Sequence, residues 1–190
     1  MEKDIQISLR NLQTDYIDIY QIHNPNPKDL EQVLAPGGAL EALQEAKAQG
    51  KIGHIGITLH SPELFRKAVE LPWVETIMFP YNIVETQGEE LIRACTEKNI
   101  GFIDMKPLAG GALDSAKLAL RFVISNPDVT LTIPGMASLD EVAENIAAVS
   151  DATPLSCSEI EEMEQIRSTL GTQFCRRCNY CAPCSVGIGI

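Results

Sequence analysis

Cys175, Cys178, Cys181 and Cys184 stand with two residues between neighbours near the carboxyl end of this 190-residue chain. Thiolates are soft, strongly donating ligands. Four of them in one short run point to a metal rather than to core packing. Structural zinc sites usually bring two Cys-x-x-Cys pairs together from segments well separated in sequence. A continuous run wraps a larger object better, so a [4Fe–4S] cluster is the first expectation and zinc the alternative. Cys95 and Cys157 are isolated and read as structural.

A second kind of chemistry is offered by His23, at the end of the run "TDYIDIYQIH". The segment "NPNP" follows at once, and proline has no N–H to give a strand ladder, so the strand stops there. An imidazole at the lip of an apolar strand can hydrogen-bond a ligand or exchange a proton with it. The alternative is a strand-end histidine that only bonds its own turn. Thr58 ends "HIGI" and Lys106 follows "GFIDM", which places two more polar groups at strand ends. Lys106 could meet a phosphate or be an ordinary solvated lysine. Gly110 and Gly111 would let backbone approach a ligand closely, or simply form a loop.

Such residues need elements to hold them. Short β-rich runs at 16–22, 54–58, 76–79, 101–105 and 130–133 alternate with amphipathic helical patterns at about 38–49, 62–70, 89–98, 115–125 and 138–149. Ser61-Pro62 gives an N-cap with proline in the first helical position. "SLDE" and "SCSE" read as capping boxes at Ser138 and Ser156. Gly50 and Gly101 sit where a helix should hand over to a strand. Strand and helix in regular alternation imply parallel strands joined by right-handed crossovers, hence an α/β fold. A doubly wound sheet and a (β/α)8 barrel both satisfy the pattern. No Gly-x-Gly-x-x-Gly follows the first strand, which weakens the former. After Val149 come a glutamate-rich helix, 156–170, and the cysteine tail.

Composition excludes some partners. Acidic residues outnumber basic ones 26 to 15, a formal charge of −11, which argues against nucleic acid and anionic membrane surfaces. No apolar run approaches the roughly 20 residues that span a bilayer. The start "MEKDIQISLRN" has no signal-peptide core, so a cytoplasmic protein is expected.

The segments "SLRNLQTDYIDIYQIHNP", "GKIGHIGIT", "FPYNIVE", "GFIDMKPLAGGAL" and "TIPGMASLDEVAENIAA" resemble, in order, the later strands and loops of aldo/keto reductases. The tail "FCRRCNYCAPCSVGIGI" is similar to a subgroup with a ferredoxin-like extension. The resemblance implies a partial (β/α)8 TIM barrel (strands 4–8 with their helices) over residues 1–155. A C-terminal helix and linker would follow at 156–174, and the start of a cysteine cluster at 175–190. It implies hydride transfer between a nicotinamide cofactor and a small-molecule carbonyl, with an electron-transfer partner for the cluster.

By the same resemblance His23 is the catalytic histidine that hydrogen-bonds the substrate carbonyl. Thr58, Lys106, Leu108, Gly110, Gly135, Ser138, Glu144 and Asn145 fall at cofactor-binding positions. The family's tyrosine, lysine and aspartate have no matching positions here, so the chain alone is expected to be inactive. The 133–145 loop and helix carry Glu141 and no basic residue, which favours NADH over NADPH. Met105 stands where many members place an aromatic on the nicotinamide ring. The alternative is a non-catalytic iron–sulfur or zinc-binding electron relay.

Overall fold

The computed structural model describes residues 1–151 and 153–171. Strands β1 (Ile17–His23), β2 (Ile52–Thr58), β3 (Thr76–Pro80), β4 (Gly101–Met105) and β5 (Leu131–Ile133) form one sheet in chain order. β1 pairs with β2 in parallel from Ile17↔Ile52 to His23↔Thr58, and β2 with β3 from Gly56↔Thr76 to Thr58↔Met78. Eight helices are described: α1 (Glu2–Leu12), α2 (Pro27–Leu34), α3 (Ala39–Ala48), α4 (Pro62–Ala68), α5 (Glu89–Glu97), α6 (Ala116–Ser125), α7 (Leu139–Ser150) and α8 (Cys157–Leu170). The α/β alternation expected from sequence is present, with five parallel strands.

The helix starts follow from local chemistry. Ser61 Oγ accepts from Leu64 N–H with Pro62 in the first turn, and Ser156 with Glu159 closes a full capping box. At Ser138 the box is rearranged: Ser138 Oγ accepts from Glu141 N–H, while the Glu141 carboxylate reaches past it to Ala137 N–H. α2 was not expected. Its signal is nonetheless in the sequence, because Asn26 caps the helix, Pro27 takes its first position and Asp29 completes the box. Gly50 has the left-handed backbone expected at a handover, φ 70°. Gly101 does not act that way; it lies in β4, and the left-handed turn before the strand falls on Asn99, φ 58°.

The chain divides into two compact units. The first comprises Met1–Phe79, Gln87–Ile103 and Asp128–Leu131. Its core stacks Phe65 on Phe102, with ring centroids 5.9 Å apart, and tilts Phe65 against Phe79 at 4.9 Å. Ile57, Ile77, Leu43 and Ile92 are wholly buried around it. Glu75 fastens strand to helix here. Its carboxylate accepts from Lys47 Nζ, Ile55 N–H and His54 Nδ1. Burial alone would raise this carboxyl, but the bonds from Lys47, Ile55 N–H and His54 outweigh it and hold it at about 2.

Gln21, Gly56 and Thr76 occupy one level across β1, β2 and β3. A Cβ on Gly56 would come within 2.1 Å of Thr76 Oγ1 and 3.1 Å of Gln21 Cγ. Gly56→Ala is therefore expected to destabilise the chain by about 1–3 kcal/mol, the usual cost of overpacking, measurable by urea unfolding.

The second unit comprises Pro80–Thr86, Asp104–Pro127 and the chain from Thr132 onward. Tyr81 and Phe122 pack ring to ring at 5.1 Å. α8 is held by two arginines. Arg121, only 4% exposed, donates from Nε to Glu159 Oε1 at 2.6 Å and from Nη1 to the Asp151 carbonyl at 3.0 Å. Arg167 lies over Phe122 and donates to the Ile83 carbonyl at 2.7 Å.

Candidate active site

The first group of expected site residues lies at the carboxyl ends of β1 and β2. His23 is the last residue of β1, Thr58 the last of β2, and they are register partners. Side chains at paired positions point to the same face of a sheet. His23 Nδ1 accordingly lies 3.1 Å from Thr58 Oγ1. The chain then turns sharply at Asn24, φ 40°, a left-handed backbone that asparagine tolerates better than most residues. This turn brings Asn24 N–H back over Thr58, 2.9 Å from its hydroxyl and 3.0 Å from its carbonyl oxygen. Thr58 is buried and His23 exposed, so the ring is open to a ligand.

The tyrosines of this unit do not supply a proton donor beside His23 by pairing with it. Tyr20 Oη instead meets Ser8 Oγ at 3.3 Å.

The second group lies after β4. Lys106 has φ 60°, and Ala109, Gly110 and Gly111 follow with φ of 51°, 70° and 85°. Left-handed backbone costs about 1 kcal/mol or more for a residue with a Cβ, so Lys106 and Ala109 need outside support. Asn82 supplies it. This wholly buried amide donates from Nδ2 to the Lys106 carbonyl at 3.0 Å and to Glu85 Oε2 at 3.0 Å. Its Oδ1 accepts from the N–H groups of Val84 and Glu85. Within the loop Ala109 N–H donates to Lys106 O and Gly111 N–H to Leu108 O, both at 2.8 Å. Lys106 and Leu108 remain half-buried and Gly111 exposed.

Beside this loop Asp104 is fully buried. Its carboxyl accepts from Tyr81 N–H at 3.0 Å and pairs with Thr132 Oγ1 at 2.7 Å. Burial pushes the carboxyl up to about 8, helped by the nearby Glu85 charge and opposed by the two hydrogen bonds. Neither Asn82 nor Asp104 was singled out from the sequence. An aspartate inside the apolar strand "GFIDM" is itself a signal of a buried polar network.

The third group opens α7. Gly135 and Ser138 are exposed, and a Cβ on Gly135 would meet nothing within 4 Å, which leaves room for a ligand. The first turn carries Asp140 and Glu141, with Glu141 folded over Ala137 N–H. Two carboxylates at this place repel an anion. Glu144 and Asn145, expected as a pair, face differently: Glu144 is exposed and Asn145 buried.

The expected metal ligands Cys175, Cys178, Cys181 and Cys184 lie outside the described residues. Among the described residues no group of three or more His, Cys, Asp and Glu side chains is placed to hold a metal ion. Cys95 is buried, and desolvation pushes its thiol up to about 12, which makes it unreactive; Cys157 is exposed. Among the described residues no helix is long and apolar enough to cross a membrane.

Known proteins share this fold. The model of the aldo/keto reductase family matches residues 1–118, more than half of the chain. L-galactose dehydrogenase of Arabidopsis thaliana is 26% identical over 87% of this chain and 63% of its own length. Pyridoxine 4-dehydrogenase of Escherichia coli is 25% identical over 78% of this chain and 57% of its own. A solved aldo-keto reductase from Bacillus halodurans, in its holo form, superposes with a TM-score of 0.73 at 26% identity, covering 87% of this chain and 63% of that one. The chain thus spans between half and two thirds of the length of these relatives. The family model covers more than half of the sequence, and the solved structure agrees with it in fold: the chain belongs to the aldo/keto reductase family.

Proposed function

We propose that this chain is the histidine-bearing and nucleotide-holding part of an NAD(P)-dependent oxidoreductase that interconverts a carbonyl and an alcohol. Its strands would correspond to strands 4–8 of a (β/α)8 barrel. The observation that carries the reading is the His23–Thr58 pair at the carboxyl ends of adjacent parallel strands, where such folds place their chemistry.

Reduction of a carbonyl adds a hydride to carbon and a proton to oxygen. The nicotinamide supplies the hydride when bound. His23 donates a hydrogen bond to the carbonyl oxygen, orienting it and stabilising the charge that develops there. Lys106 offers its charge to the pyrophosphate, with Leu108 and Gly110 in the same loop. Thr58 meets the carboxamide; Gly135, Ser138, Glu144 and Asn145 hold the adenosine end. The acidic first turn of α7 favours NADH over NADPH. One relative of Schizosaccharomyces pombe carries NADP(+) in its name, so the preference of this chain would be a local departure.

The proton donor is the weak point of the isolated chain. Among the described tyrosines, Tyr20 is engaged with Ser8, Tyr81 is 1% exposed, and Tyr16 precedes β1, at the opposite end of the strand from His23. Purified 190-residue protein is therefore expected to show no carbonyl-dependent NADH or NADPH oxidation. The same chain joined to the tyrosine- and lysine-bearing strands of a relative should gain it. Robust turnover by the chain alone would refute this division of labour.

The cysteine run is proposed to hold a [4Fe–4S] cluster that passes electrons to a partner, with zinc as the alternative ion. Anaerobic reconstitution should give visible sulfur-to-iron absorption. A colourless protein carrying one zinc would overturn the cluster.

A further inference from the structure

We infer that Thr58 sets the tautomer of His23, keeping its proton on Nε2. The ring then presents a hydrogen-bond donor, not an acceptor, to a ligand oxygen. The identity of that ligand rests on the function proposed above; the tautomer does not.

A hydroxyl has one proton to give and two lone pairs to accept with. Asn24 N–H can only donate, and at 2.9 Å it takes one lone pair of Thr58 Oγ1. Among the described residues the other polar partner of that oxygen is His23 Nδ1, at 3.1 Å. Suppose Nδ1 carried the ring proton. Oγ1 would then accept from two N–H groups, and its own proton would be left without an acceptor on a residue that is 5% exposed. Buried polar protons without partners are costly. With the proton on Nε2 every group is satisfied: Asn24 donates to Oγ1, Oγ1 donates to Nδ1, and Nε2–H is left for a ligand.

The arrangement is fixed by backbone, which is why it can select a tautomer. His23 and Thr58 are register partners, and the left-handed Asn24 aims its N–H at both oxygens of Thr58. Thr58 is thus a positioning residue. It keeps one free lone pair and has no proton to spare, so a carboxamide beside it would have to turn its NH2 group toward the hydroxyl.

Long-range 1H–15N correlation spectra of the histidine rings test this directly in the 190-residue chain, at a pH where the ring is neutral. His23→Gln identifies the His23 signals among the three histidines. Wild type should show Nε2–H, and Thr58→Ser should match it. Thr58→Val keeps the shape but removes the donor to Nδ1, and should move the tautomer ratio toward Nδ1–H by about fivefold, the equivalent of one ordinary hydrogen bond. A dominant Nδ1–H form in wild type overturns the inference, and so does an unchanged ratio in Thr58→Val. Should the valine variant not fold, the wild-type and serine spectra still decide. Because the readout needs no turnover, a chain inactive in every form leaves the tautomer result standing. An active enzyme with Nδ1–H would sink the tautomer alone.

Discussion

Replacing Asp104 by asparagine should abolish a loss of stability that the wild-type chain shows as pH rises from about 4 to about 8. The Asp104 carboxyl is buried and pushed from 3.8 up to about 8. Its folded pKa lies above its unfolded one, so the native state holds the proton more tightly. The stability it contributes is complete below about 3.8 and is lost as pH climbs through about 8. Each pK unit corresponds to about 1.4 kcal/mol, so the swing is on the order of 6 kcal/mol. Asparagine is the neutral isostere, able to accept from Tyr81 N–H and to donate toward Thr132. Urea unfolding between pH 4 and 9 should show a falling curve for wild type and a nearly flat one for Asp104→Asn. Parallel curves would mean that the carboxylate is ionised in the native protein. Glu75 acts in a separate window. Its depressed pKa stabilises above 4.5 and is lost as pH falls toward about 2. Together the two groups place their joint optimum near pH 4–5.

Asn82→Ala should cost on the order of 3–4 kcal/mol and should also loosen the loop that presents Lys106. The amide makes four hydrogen bonds from a fully buried position, to Glu85 Oε2 and Lys106 O and from Val84 and Glu85 N–H. Each contributes about 1 kcal/mol net, and those left unmade in the interior are the expensive ones. Lys106 carries the second consequence. Its left-handed φ of 60° is supported by the bond to its carbonyl oxygen, and without it the residue can relax to an ordinary conformation. Urea unfolding measures the first effect. Amide exchange across 106–111 measures the second, where protection should fall more than in α4. A loss under 1 kcal/mol would show that the loop holds itself.

Alternation of strand and helix was legible because parallel strands covered on both faces leave apolar runs that no helix period explains. Expected and observed strands agree to within two residues at each end. α2 was overlooked because the prolines of "NPNP" were read as strand breakers alone, although Asn26, Pro27 and Asp29 spell a helix start. Asn99, not Gly101, makes the turn into β4, since asparagine also tolerates left-handed backbone. His23 and Thr58 were singled out separately, each from its place at the end of a strand. That they bond each other follows from register, which a single strand does not reveal. Asn82, Asp104 and the left-handed backbone of Lys106, a residue singled out for its charge alone, escaped notice for a related reason. Their conformations are held by partners more than twenty residues away, such as the Asn82–Lys106 bond. The cysteine run is the reverse case, plain in sequence and outside the described residues.

Calorimetric titration of the folded 190-residue chain with NADH, and separately with NADPH, tests the central claim most directly. One saturable site for NADH, with weaker binding of NADPH, is the predicted result. Heats of dilution alone from both nucleotides, on protein whose circular dichroism shows the native α/β content, would contradict the claim that this chain holds the cofactor.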